Sequence, residues 1–129
     1  MKYLFSIMII LSLIACGGGE KKAAETTPQA TATYTYITPT QEMLDSGKTT
    51  FDTYCHICHK EGIGGAAKLD NKERWENNRK KDLDLLVQHV HDGYTGEYGT
   101  MTPMGTCMTC SKDELRNAIF YMMTEAGVL

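Results

Sequence analysis

The chain has 129 residues, 42% of them hydrophobic and 22% charged, with a formal net charge of −3. From Gln41 onward 10 Lys and Arg stand against 14 Asp and Glu, an acidic balance without the basic character suited to nucleic-acid phosphates. Its length excludes two independent cores: beyond an apolar leader and a polar stretch only about 90 residues remain, and a core that small is thin without a staple or a cofactor.

Met1-Lys2 precede an almost wholly apolar run of 12 residues, Tyr3 to Ile14, broken by two serines. At about 1.5 Å per residue the run falls short of a bilayer core of about 30 Å, and it has the length of a signal-peptide core. It ends in Leu13-Ile14-Ala15-Cys16, which resembles the lipobox of bacterial lipoproteins. That resemblance implies a lipoprotein signal peptide over residues 1–15 and acylation of Cys16. The alternative is an ordinary signal peptide cut near Ala15, with Cys16 left as a free thiol. Two or three acyl chains, at about 0.8 kcal/mol per buried methylene, anchor a protein to a membrane for good. Residues 16–38 are rich in Gly, Ala, Thr, Pro, Lys and Glu, with only Tyr34, Tyr36 and Ile37 as large apolar groups. This is a tether, with a typical end-to-end reach of roughly 25–30 Å.

Residues 39–129 read as one all-α domain. Thr38-Pro39-Thr40-Gln41 has a capping-box form with Pro at the first helical position, and Leu44, Gly47, Phe51 and Tyr54 follow at three-and-four spacing. The helix delivers Cys55-His56-Ile57-Cys58-His59, a C-x-x-C-H attachment signal for a c-type haem. On the last turn of a helix Cys55 and Cys58 point the same way and can add across the two vinyl groups of one porphyrin. His59, directly after the second thiol, can reach the iron through Nε2 as a neutral imidazole. The motif by itself leaves open a zinc half-site, a thioredoxin-type dithiol or two buried cysteines beside a histidine. A zinc site, however, needs further Cys or His ligands, and a dithiol has no use for the adjacent histidine.

After the loop Gly62-Ile63-Gly64-Gly65, Asn71 can cap a short helix containing Trp75. Asp82 can cap another through Leu83, Leu86, Val87 and Val90, stopped by Gly93. Ser111-Lys112-Asp113-Glu114 is a second capping box, followed by Leu115, Ala118, Ile119, Met122 and Ala126 on one stripe and Gly127 past the end. No segment alternates at period two for long enough to predict a strand. Five cysteines is an odd number; with Cys16 assigned to lipid and Cys55 and Cys58 to haem, Cys107 and Cys110 remain, most simply as a disulfide in an exported protein.

This order of elements resembles a class I cytochrome c. More narrowly, Gly99-Thr100-Met101-Thr102-Pro103-Met104-Gly105-Thr106-Cys107-Met108-Thr109-Cys110-Ser111 resembles the methionine loop and C-x-x-C disulfide of the bacterial cytochrome c-five group. The resemblance covers the chain from Gly47 to Met122, with Trp75, His89 and Gly93 at matching places. It implies the class I cytochrome c fold around one covalent haem c, with Gly47 and Phe51 crossing the C-terminal helix near Tyr121. Two positions depart from the family. Ala67 stands where proline is usual, in the loop whose carbonyl accepts the Nδ1 proton of the proximal histidine; alanine still offers that carbonyl but not the fixed φ. Met101-Thr102 stands where Met-Pro is usual, with Pro103 one place later.

The sixth ligand is a contest among Met101, Met104 and a histidine, with Met101 favoured because its distance of six residues from Cys107 matches the family. His89 and His91 read as helix-surface or edge residues, and His56 as projecting away from the haem. Met43, Met122 and Met123 read as packing or surface, and Arg79-Lys80-Lys81 as a solvated helix junction. With both axial positions filled by protein, no site is left for oxygen or peroxide, and no acid–base constellation suggests an enzyme. The leading expectation is a lipid-anchored monohaem electron carrier in the bacterial cell envelope, facing the periplasm, with redox proteins as partners and an acidic surface steered toward basic docking sites. A haem-based sensor of small ligands and a haem subunit docked on a larger oxidoreductase are the alternatives.

Overall fold

The computed structural model describes residues 36–129. The apolar leader, Cys16 and residues 16–35 of the tether lie outside the described residues.

Helix α1 (Gln41–Thr50) begins at Thr40, whose hydroxyl accepts the amide proton of Met43 at 3.3 Å. The helix therefore starts two residues later than the pattern Thr38-Pro39 implies, because it is the Thr40 oxygen that meets an otherwise unpaired first-turn amide. A π-helical turn (Phe51–Cys55) and helix α2 (His56–Glu61) continue it, and a short 3₁₀ turn spans Ile63–Gly65. Asn71 caps α3 (Lys72–Arg79), and Asp82 caps α4 (Leu83–Asp92) by accepting from Asp84 and Leu85. Helix α5 (Lys112–Glu125) opens on the expected capping box of Ser111 and Glu114.

One departure from the all-helical expectation is an antiparallel hairpin of β1 (Tyr94–Gly96) and β2 (Gly99–Met101), with Gly96 opposite Gly99. Strands of three residues are too short for alternation to show, and the two-residue turn Glu97-Tyr98 sets their register.

Helix α5 is the centre of the core and packs against both α1 and α4. The expected stripe of Leu115, Ala118, Ile119, Met122 and Ala126 is buried throughout, but Phe120 and Met123 are the deepest, each at 0% exposure. A helix covered on two sides buries more than one stripe, which a single three-and-four pattern does not register. The crossing of α1 and α5 is made by Gly47: a Cβ there would lie 2.0 Å from the carbonyl oxygen of Asn117 and 3.0 Å from Tyr121 Cβ. One turn on, the Phe51 and Tyr121 rings meet with centroids 5.3 Å apart. Gly47→Ala should therefore push the two helices apart, costing on the order of 2–3 kcal/mol and lowering Tm by about 10–20 °C. A thermal melt followed by circular dichroism that leaves Tm in place would show that the crossing yields without loss.

Tyr36, three residues before the expected domain start at 39, already belongs to this packing. Its hydroxyl donates to the Lys81 carbonyl at 2.7 Å, and its ring meets Phe120 edge-on at 6.5 Å. Burial, with the Asp82 carboxylate adding to it, pushes the phenol up to about 12 from 10.0. A raised acid pKa holds its proton longer in the fold than in the unfolded chain, so this stability is present below pH 10 and is lost between 10 and about 12. Tyr36→Phe should flatten that alkaline loss in denaturant titrations run across the window; an equally steep loss in the variant would clear Tyr36 of the effect.

Candidate haem site

Cys55 closes the π-helical turn and Cys58 follows in α2; both thiols are free and half-buried, and Cys55 packs against the apolar core. Burial, reinforced by the neighbouring Cys58, pushes the Cys55 thiol up to about 11. Cys55 lies at the edge of the core, and Cys58 follows three residues on in the same run of helix. Among the described residues no group of three or more His, Cys, Asp and Glu side chains is placed to hold a metal ion, so no further ligands of a zinc site are gathered beside the pair.

His59 Nδ1 lies 2.9 Å from the carbonyl oxygen of Ala67. A carbonyl can only accept, so the proton is on Nδ1 and Nε2 carries the lone pair. Burial lowers the pKa of His59 more than the Ala67 carbonyl raises it, with Arg74 lowering it further, so the ring is kept neutral. The bond survives the replacement of the family's proline by Ala67, as expected from the carbonyl alone. Trp75 sits 6.1 Å from the His59 ring and donates from Nε1 to the Lys68 carbonyl at 2.8 Å, which ties down the residue after Ala67.

Three supports of the site were not legible in the motifs. The backbone of the glycine loop lies directly on the hairpin: a Cβ on Gly65 would fall 1.8 Å from the Tyr98 carbonyl oxygen, and one on Gly99 2.1 Å from that of Gly64. Arg74 donates to the Gly65 carbonyl at 2.8 Å and lays its guanidinium over the Tyr98 ring at 4.1 Å. From the methionine loop Thr106 donates to the Tyr54 carbonyl at 2.8 Å, joining that loop to the attachment segment. The first and third bring together segments far apart in the chain, which local periodicity does not report.

Met101 ends β2 and is half-buried, with its terminal methyl 3.5 Å from where a Gly105 Cβ would stand. Met104 packs instead against the apolar core, and Met108 is exposed. Cys107 and Cys110 form a disulfide, Cys107 fully enclosed and Cys110 at the threshold of α5. His89 stacks on Tyr94 at 4.3 Å, and the exposed His91 pairs with Asp92 at 2.6 Å, as edge and surface residues do. His56 is half-buried, and its Nδ1 is enclosed with no hydrogen-bond partner among the described residues.

Residues 42–122 match the family model described as cytochrome c oxidase, cbb3-type, subunit III. The chain belongs to the c-type cytochromes. Among its relatives is cytochrome c-555 of Chlorobaculum thiosulfatiphilum, 32% identical over 81 residues, which cover 63% of this chain and 94% of the relative. Cytochrome c5 of Azotobacter vinelandii is 36% identical over 76 residues, covering 57% and 87%, and that of Ectopseudomonas mendocina 35% identical over 68 residues, covering 51% and 74%. The resemblance to the c-five group and the class I fold expected from it are thereby met. Cytochromes of this family bind haem c covalently, and the residues of this cytochrome fit it: two adjacent free thiols at C-x-x-C-H spacing, and beside them a neutral imidazole whose Nε2 is left for a metal.

Proposed function

We propose that this cytochrome is a lipid-anchored monohaem electron carrier serving a respiratory chain on the periplasmic side of a bacterial membrane. Cys55 and Cys58 carry the haem, His59 is the proximal ligand and Met101 the sixth. The observation that carries this reading is the Nδ1–H bond from His59 to Ala67, since it orients a neutral ring and leaves Nε2 as the ligating atom of the residue that directly follows Cys58. Met101 is preferred to Met104 because the Met104 side chain is engaged in the core. When bound, haem c supplies a one-electron ferrous–ferric couple, and a thioether ligand favours the ferrous side. The acidic excess beyond Gln41 suits partners with basic docking faces. Residues 1–15 are the signal peptide and the acylated tether follows from Cys16; the haem domain, expected from residue 39, takes in Tyr36 as well.

A second reading, a haem subunit fixed to a larger oxidoreductase, draws on the description of the matched family. Fractionation separates the possibilities. The wild type should stay with membranes until detergent is added, whereas Cys16→Ser should be released or remain unprocessed. Wild-type protein found soluble without detergent would end the lipoprotein reading, and constant co-purification of one large partner after extraction would favour the subunit.

A further inference from the structure

Thr102-Pro103-Met104-Gly105 forms a turn in which the Gly105 amide donates to the Thr102 carbonyl at 3.0 Å. Proline at its second position and a positive φ of 59° at its third mark a type II turn, whose third position ordinarily belongs to Gly or Asn. Met104 is the one non-glycine residue with positive φ among the described residues. Backbone held in that region by a side-chain-bearing residue persists where its surroundings over-determine it.

Here they do so at three points. The Met104 amide donates to the Val90 carbonyl at 2.8 Å, satisfying one of the carbonyls that the end of α4 leaves open. Its side chain packs against the apolar core, and its own carbonyl accepts from the Cys107 amide at 3.0 Å, linking the turn to the disulfide. Next to it, Gly93 lets α4 end against the loop: a Cβ there would stand 2.9 Å from Pro103 Cδ and 3.1 Å from the Met101 carbonyl oxygen. The turn so fixed carries Met101 on its near side and Gly105, against which the Met101 methyl lies, on its far side.

We propose that Met104 is a positioning residue for the sixth ligand: its core-anchored side chain and α4-bound amide lock the type II turn that holds the Met101 thioether in place. The proposal rests on Met101 being that ligand. Glycine at 104 would fit the turn but abolish the anchor, so the loop would open more often and an external ligand would find the sixth position more often. Leucine would keep the anchor.

The test is imidazole titration of the full-length ferric protein, with the near-infrared band of methionine-ligated haem followed in parallel. Met101→Ala should lose the band. Met104→Gly should keep the band yet bind imidazole about tenfold more tightly, and Met104→Leu should return to within about twofold of wild type. Wild-type imidazole affinity in Met104→Gly overturns the positioning role while leaving Met101 as the ligand. Met104→Leu behaving like Met104→Gly overturns it too, since packing would then not be what holds the turn. If Met104→Gly loses the band and Met101→Ala keeps it, Met104 is itself the ligand, and both the proposal and the ligand assignment fall.

Discussion

Replacing both Cys55 and Cys58 with serine should leave a colourless chain that does not fold. The buried residues are few: beside α5, the core draws on Phe51, Ala67, Trp75, Leu86 and Val87, with Cys55 packed at its edge. Net stability of a domain this size is about 5–15 kcal/mol, a small difference between burial and chain entropy. A porphyrin held at the two thiols adds a large apolar disc to that burial, so its loss exceeds the margin. Helical circular dichroism of the purified double variant, compared with wild type, measures the effect. Acid–acetone extraction should leave the pigment on wild-type protein, and pigment passing into the solvent would refute attachment through these thiols.

How far such consequences could be read from the residues depended on the distance over which each contact acts. The caps at Asn71, Asp82 and Ser111 and the stop at Gly93 lie within one helical turn of what they satisfy, and each is found as expected. C-x-x-C-H is legible because covalent attachment tolerates little variation in spacing. The bond from His59 to Ala67 and the approach of Gly47 to Tyr121 span longer separations, and the resemblance, not periodicity, pointed to them. What neither revealed was the bracing: Tyr36 on Lys81, Thr106 on Tyr54 and the hairpin against the glycine loop. These join segments far apart in sequence through single polar contacts or bare backbone, and such contacts leave no repeating pattern. Even the first helix shows the limit, since Thr38 and Thr40 are equally good caps by composition and the fold uses Thr40.

Met101→Ala should convert a closed iron into an open one. Met101 sits at the end of β2, paired in register with Tyr94, so its backbone is set by the hairpin and its removal leaves the surrounding loop supported by Pro103, the Val90 carbonyl and the disulfide. The fold should therefore survive while the sixth position is lost. A thioether stabilises ferrous iron, so its absence should lower the potential by on the order of 0.1–0.3 V, within the roughly 0.8 V over which axial ligands act. Carbon monoxide should bind the reduced variant at once and the reduced wild type barely. Met104→Ala is the comparison, because the two methionines lie in one loop but only Met104 packs on the core; it should keep the potential close to wild type and admit carbon monoxide more readily than wild type but far less than Met101→Ala. Spectroelectrochemical titration and a carbon monoxide difference spectrum of the three proteins decide the matter. A Met101→Ala protein that keeps its potential and still excludes carbon monoxide would remove Met101 from the iron, and the same two measurements on Met104→Ala would then show whether the ligand lies three residues along the loop.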